Sequence, residues 1–178
     1  LRFDEDPLRK LRALRFNAAL GGTMHTDTFA ALKKNPSLNG VSSERIREEF
    51  VKSIIKAKSP KKYMELCDKL GFTKQILPGL KVSKPYVNEN DFIVFLACIL
   101  RKNSVNSINN KLNKLTYSAK EILNIMFLNT LQDFKPENVY NIKKFQNRTS
   151  LSDKQIILFG KYIGKDFKKL VKFKNIGF

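Results

Sequence analysis

Histidine is nearly missing from this chain, which has one, His25, in 178 residues. A zinc site built on histidines, or a phosphohydrolase of the His-Asp metal type, needs several, so both classes are excluded. Cysteine is scarce as well. Cys67 and Cys98 have neither a CxxC partner nor a neighbouring histidine, and each falls within an apolar helical pattern. They read as buried free thiols of a reducing, cytoplasmic setting rather than as a disulfide framework. No apolar run is long enough for a membrane span; the longest, Phe92–Leu100, suits a buried helix. The N-terminus begins with charged residues, where a secretory signal would be apolar. Opening on Leu1 rather than Met is what a piece cut from a longer polypeptide would show. Strand alternation and hairpin dipeptides are also missing.

Acidic residues are few. Sixteen Asp and Glu face 34 Lys and Arg, a formal net charge of +18. About +10 of it falls between Lys102 and Phe178. Such an excess attracts polyanions, and without a membrane anchor the candidate is nucleic acid. A second source of the same composition stays open, because AT-rich genomes also give chains rich in Lys, Asn and Ile.

What is present reads as helix after helix, so the fold class expected is all-α, an irregular array without a fixed repeat. Asp6-Pro7 predicts a helix start, with Leu8, Leu11, Leu14 and Ala18 inward and Gly21-Gly22 as the stop. A short helix follows Thr26 and ends at Asn35-Pro36. Ser42 or Ser43 caps a third, whose buried stripe is Ile46, Phe50, Val51 and Ile54. Ser59-Pro60 opens a fourth, with Tyr63, Leu66, Cys67 and Leu70 inward and Gly71 ending it. Pro78-Gly79 and Pro85 mark the best internal boundary. Beyond it, Asn90 starts the apolar helix through Leu100, and Ser118 with Glu121 forms a capping-box pattern. Pro136 and Ser152 start two more, and a basic helix runs from Asp166 to about Lys172.

The opening segment, Phe3-Asp4-Glu5-Asp6-Pro7-Leu8-Arg9-Lys10-Leu11-Arg12-Ala13-Leu14-Arg15-Phe16, contains a pair with a definable chemistry. Asp6 and Arg9 are three apart, near one side of a helix start. A carboxylate only accepts hydrogen bonds and a guanidinium only donates them. Cytosine and adenine each present an amino group beside a ring-nitrogen acceptor, an edge that an Asp next to an Arg complements. Uracil and guanine would bring a carbonyl oxygen against the carboxylate. The plainer reading is an Asp N-cap followed by a solvated face of Arg9, Arg12 and Arg15. The two are compatible, since a carboxylate can cap with one oxygen.

This segment resembles the Glu-Asp-x-x-Arg signature of the tRNA nucleotidyltransferase and bacterial-type poly(A) polymerase family. The likeness continues through Leu20-Gly21, Thr28 and a second block, Leu38-Asn39-Gly40-Val41-Ser42-Ser43-Glu44-Arg45-Ile46-Arg47-Glu48-Glu49-Phe50, and fades after about Leu80. The resemblance implies that residues 1–80 are a neck and body region with the base-selection motif. Residues 81–178 would be a basic helical body and tail region that binds RNA. It implies that Asp6 and Arg9 read the incoming base, with Glu5 and Arg12 supporting the nucleotide site. Ser43, Glu44 and Arg45 would brace neck helices. Asp4-Glu5-Asp6 has the form of a metal pair, but the family's catalytic carboxylates follow a Gly-Ser element on a sheet in a head domain, which is not found here. No catalytic or metal-binding residue is therefore assigned, and the chain alone is expected to be inactive. Mg²⁺, CTP and ATP are expected of the full-length enzyme, with a head domain joined in cis or in trans.

The Val-Ser-x-Glu-Arg-Ile run leans toward addition of CCA to tRNA, with poly(A) addition as the alternative within the family. Lys143, Lys144, Arg148, Lys161, Lys165, Lys168, Lys169 and Lys172 are the candidate RNA contacts as a group. Tyr117, Tyr140 and Phe173 could stack on bases, although core packing also explains aromatics at helical spacing. A stand-alone RNA-binding module and a cationic helical scaffold are the rival functions.

Overall fold

The computed structural model describes residues 3, 5–135, 137 and 139–172, and among them no strand forms. Helix α1 spans Leu8–Leu20, α2 Thr26–Lys34, α3 Ser43–Lys56, α4 Pro60–Leu70 and α5 Thr73–Ile76. After a helix-free stretch come α6 (Phe92–Leu100), α7 (Val105–Lys114), α8 (Ala119–Thr130), α9 (Val139–Gln146), α10 (Asp153–Ile163) and α11 (Lys168–Lys172). The all-α expectation holds.

Serine begins five of these helices for one reason: the first amides of a helix have no partner within it, and a hydroxyl at the N-cap accepts from one of them. Ser42 accepts from Arg45, Ser59 from Lys62 and Ser104 from Ser107. Ser118 with Glu121, and Ser152 with Gln155, form complete capping boxes. His25 caps α2 through Nδ1, which accepts from the Asp27 amide. Three expected starts differ. Helix α1 begins at Leu8, one residue after Pro7, and the Asp6 carboxylate accepts from the Leu8 amide at 3.1 Å. Asp91, not Asn90, caps α6, accepting from both Ile93 and Val94. Asn90 instead closes α3, its amide donating to the Ile54 and Ala57 carbonyls at 2.8 Å each. The last helix begins at Lys168 rather than Asp166, whose carboxylate accepts from the Lys168 amide. Pro136, expected to open a helix, lies outside the described residues; α9 begins at Val139.

Helices α1 and α3 lie against each other and α4 closes on both. Helix α6 buries every residue but Ile93, between α8 and α10, and α7 covers α8. A line of rings, Phe50 to Tyr63, Phe50 to Phe92 and Phe92 to Tyr117, with centroids 6.4, 5.8 and 6.1 Å apart, runs from the first group of helices into the second. One apolar cluster extends from Leu8 to Val171. Cys67 and Cys98 are free and buried, and desolvation pushes both thiols up to about 12. Gly160 shows where close approach requires glycine: a Cβ there would fall 2.5 Å from the Lys165 carbonyl oxygen and 2.7 Å from the Phe167 ring. Among the described residues no helix is long and apolar enough to cross a membrane.

Candidate functional site

Asp6 and Arg9 occupy the exposed start of α1. One Asp6 oxygen accepts from the Leu8 amide, and the Asp6 carbonyl accepts from the Arg9 amide at 3.0 Å, so the residue closes the first turn. The Arg9 side chain is 49% exposed and its Nη1 lies 3.8 Å from the Glu5 carboxylate. At that distance and exposure the ion pair restrains Arg9 only weakly. The structure thus brings Glu5, Asp6 and Arg9 together at one end of one helix.

Arg12 has a different environment. Its Nε lies 3.7 Å from Glu49 Oε1, while Arg15 Nε donates to Glu49 Oε2 at 2.8 Å. Glu49 is 5% exposed and Arg15's side chain 17%. A buried carboxylate shared by two guanidiniums of α1 restrains the roll of α1 against α3, because a rotation that withdrew both arginines would leave Glu49 without a partner in a poorly solvated place. On the same helix Lys10 is buried and its ammonium donates to the Ser37 carbonyl at 2.9 Å. With Lys10 buried and Arg15 largely covered, α1 presents Arg9, Arg12, Phe16 and Leu20 outward, and the Arg15 guanidinium lies over the Phe16 ring at 4.6 Å.

Glu49 is the residue beside this helix that sequence reasoning missed. Its partners lie 34 and 37 residues upstream, a separation no helical periodicity links. The expected braces fare differently. Glu44 and Arg45 are exposed on the first turn of α3. The bracing pair one turn on is Arg47, whose Nη2 donates to both oxygens of Glu121 at 3.1 and 3.0 Å and whose guanidinium covers the Tyr117 ring at 5.3 Å. Desolvation would raise the Glu121 carboxyl, but hydrogen bonds from Ser118 and the charge of Arg47 outweigh it and hold the group below its ordinary value.

Of the candidate RNA contacts, Lys144, Arg148, Lys161, Lys165, Lys168, Lys169 and Lys172 are exposed. Lys143 is 5% exposed and donates to Gln146 Oε1 at 2.9 Å, and Lys165 donates to the Gln132 carbonyl. On α11 the buried residues are Leu170 and Val171, which turns its lysines outward. Tyr117 is buried against Phe92 and Arg47, whereas Tyr140 is 56% exposed. Phe173 and Asp4 lie outside the described residues. Among the described residues no group of three or more His, Cys, Asp or Glu comes together as a metal site would require.

With this geometry in view, the comparisons can be placed on it. Residues 22–83 match the family model described as the probable RNA and SrmB-binding site of polymerase A. The CCA-adding enzyme of Lactobacillus gasseri is 40% identical over 84 residues, 47% of this chain and 21% of that protein. Those of Streptococcus agalactiae and Listeria monocytogenes are 42% and 38% identical over 81 and 89 residues, which is 45% and 49% of this chain and 20% and 22% of those proteins. The chain thus spans about a fifth of the length of the curated relatives it matches. Over this region the chain is similar to the CCA-adding enzymes and to the probable RNA and SrmB-binding site of polymerase A.

Proposed function

We propose that this chain supplies nucleotide selection and RNA binding to a template-independent RNA 3′-end nucleotidyltransferase, one that adds CCA to tRNA. The carrying observation is that Asp6 and Arg9 stand on the outward end of α1 while Glu49 holds that helix rigidly from behind. Asp6 keeps a second carboxylate oxygen for a base amino group, and Arg9 can donate to the neighbouring ring nitrogen. Rigid placement matters because selection between bases is a difference of hydrogen-bond geometry, and a loosely held pair would accept either edge.

Phosphoryl transfer is assigned to a nucleotidyl-transfer domain outside these residues, in cis or in trans. Among the described residues no three His, Cys, Asp or Glu side chains come together, and the metal-binding carboxylates are assigned to that same domain. The exposed lysines of α9, α10 and α11 would track the RNA backbone by charge and shape rather than sequence. Such an enzyme would work in the cytoplasm. A second reading is poly(A) addition, favoured by the polymerase A description of the matched family model.

Primer extension separates these readings: the intact polypeptide with Mg²⁺ and CTP, ATP or both, on tRNA ending before CCA. Addition of C, C and A is expected, and Arg9→Ala should admit UTP and GTP while the wild type rejects them. A long A tract from ATP alone moves the assignment to poly(A) polymerase. Failure to extend any RNA removes the enzymatic reading and leaves an RNA-binding module. The 178-residue chain by itself is expected to add nothing.

A further inference from the structure

Away from α1, a groove runs along α4. Its wider part is a cavity of about 850 Å³ between α4 and the segment 84–86, lined by Lys62, Leu66, Lys69, Lys84, Pro85 and Tyr86 with Glu65 and Asp68. A second cavity of about 210 Å³ shares Lys62 and Leu66 and continues the groove past Lys58 to the end of α1 at Gly21 and Gly22. Lys62, Leu66 and Lys69 recur at helical spacing, so the two lysines stand on one face, one on each side of an apolar floor.

The lysines at the two ends are held in place. At one end, the Lys58 amide donates to the Ala18 carbonyl at 3.0 Å. Gly21, in the left-handed region at φ +69°, leaves room for the Lys58 stem, since a Cβ there would come within 2.6 Å of Lys58 Cδ. At the other end, Asp68 receives Thr73 Oγ1 at 2.5 Å, Tyr86 OH at 2.6 Å and Lys84 Nζ at 2.5 Å. Desolvation would raise this carboxyl, but hydrogen bonds from Lys84, Thr73 and Tyr86 prevail and keep it ionised below its ordinary range. Its charge is therefore used within the wall, whereas the ammonium of Lys84, 64% exposed, has two further donors directed elsewhere. Lys58, Lys62, Lys69 and Lys84 are all exposed, and Glu65 is the carboxylate among them not engaged in that wall network.

We propose that this groove is a track for an RNA phosphodiester strand, with Lys58, Lys62, Lys69 and Lys84 as successive phosphate contacts and Leu66 and Pro85 as the surface on which sugars or bases rest. The inference rests on the RNA-binding reading above and gives it a surface distinct from the lysines of α9 to α11. Charge favours RNA over a protein partner here, because four lysines spaced along a groove complement a regularly charged strand. Most of the groove lies inside the segment matched to the family model described as a probable RNA and SrmB-binding site, with Lys84, Pro85 and Tyr86 just beyond it.

The test uses the 178-residue chain with two fluorescent probes, a tRNA ending before CCA and a single strand of about 12 nucleotides, a length within the usual single-strand site sizes. Affinity is read by polarisation over a series of salt concentrations. Lys62→Gln with Lys69→Gln should reduce the magnitude of the slope of log affinity against log salt by about 1 per lysine. Lys102→Gln with Lys114→Gln, an equal charge loss on exposed lysines elsewhere, should move it much less. Unchanged melting temperatures show that the variants fold. Loss on the single strand assigns the groove to unpaired RNA, and loss on the tRNA alone assigns it to a duplex backbone. If the wild type binds with a clear salt slope that the groove variant leaves intact, while Lys161→Gln, Lys168→Gln and Lys169→Gln together reduce it, the groove proposal falls and RNA binding stands. A wild type that binds neither RNA removes both and leaves the groove to a protein partner.

Discussion

The helices before the Pro78–Pro85 break and those after it are held together by different physics. In the first group the contacts that set orientation involve charged side chains: the ion pairs of Glu49 with Arg12 and Arg15 and of Asp68 with Lys84, and the Lys10 ammonium donating to the Ser37 carbonyl. In the second, α6 is apolar on nearly every side and is packed between α8 and α10, with Phe127 against Phe145 and Phe134 against Phe167. Apolar burial is large in energy but tolerant in geometry, so it stabilises without fixing the roll of a helix closely. A buried ion pair adds little net stability but admits few alternative arrangements, a division of labour that for this protein is a hypothesis with direct consequences. Stability should depend most on the second group, and placement of Asp6 and Arg9 on the first.

Core truncation in the second group should have the largest effect. Phe95 is fully buried in α6, and Phe95→Ala should cost about 3–5 kcal/mol, the range for a large core side chain that leaves a cavity. Urea denaturation would show this as a lower midpoint at unchanged slope. A loss below 1 kcal/mol, on the order of a surface substitution, would mean that α6 is not the keystone its burial suggests.

Glu49→Gln comes next and tests the opposite expectation. It removes the charge shared by two arginines while keeping the shape, and should cost about 2–3 kcal/mol, less than a fully buried pair because Arg12 is about half exposed. Its more telling readout is selectivity. Under the proposed function, the intact polypeptide's discrimination of CTP and ATP against UTP and GTP should fall, with Arg9 itself unaltered. If stability drops and discrimination does not, Glu49 is a structural brace only.

The pH dependence sharpens the comparison further. Asp68 and Glu121 both have carboxyls held below their ordinary values. A group depressed on folding stabilises fully above its unfolded pKa, about 4 for a carboxylate, and that contribution is lost as pH falls through the folded value. Thermal stability of the wild type should therefore decline on acidification below about pH 4. Glu121→Gln should flatten the decline and cost about 1–2 kcal/mol at neutral pH, because Arg47 then lacks its bidentate partner. An unchanged acid limb in Glu121→Gln would show that the Arg47 link adds nothing to folding.

How much of this could be read from the residues follows the same division. The apolar stripes, serine caps and glycine stops placed α1 to α4, α6, α8 and α10 closely, since these signals are local and periodic. The Glu49 clamp and the Asp68 network were invisible because their members are brought together only by tertiary packing. Lys143, a candidate RNA contact by sequence, is buried with its ammonium on Gln146, and Lys10 is likewise buried with its ammonium on the Ser37 carbonyl. Long aliphatic stems allow that, and sequence does not distinguish a lysine lying under a helix from one in solvent. Asn90 was assigned to the wrong helix for a related reason: its amide closes α3, 33 to 36 residues away.

Helix α7 went unread because of its composition, and it gives the smallest and most local prediction. Its sequence, VNSINNKLNK, holds four asparagines, poor helix formers that look like loop, and it buries only Ile108 and Leu112. What holds it is that single apolar pair one turn apart against α8, together with the Ser104 hydroxyl accepting from the Ser107 amide. With so little else supporting the helix, the cap should carry an unusually visible share. Ser104→Ala should cost about 1 kcal/mol. Hydrogen exchange of the amides of α7 should speed up while those of α6 stay protected, because local opening draws on the least stable unit first. Equal acceleration across α6, α7 and α8 would instead mean that α7 opens only with the core, and that the apolar second group behaves as one cooperative block to which the cap contributes globally.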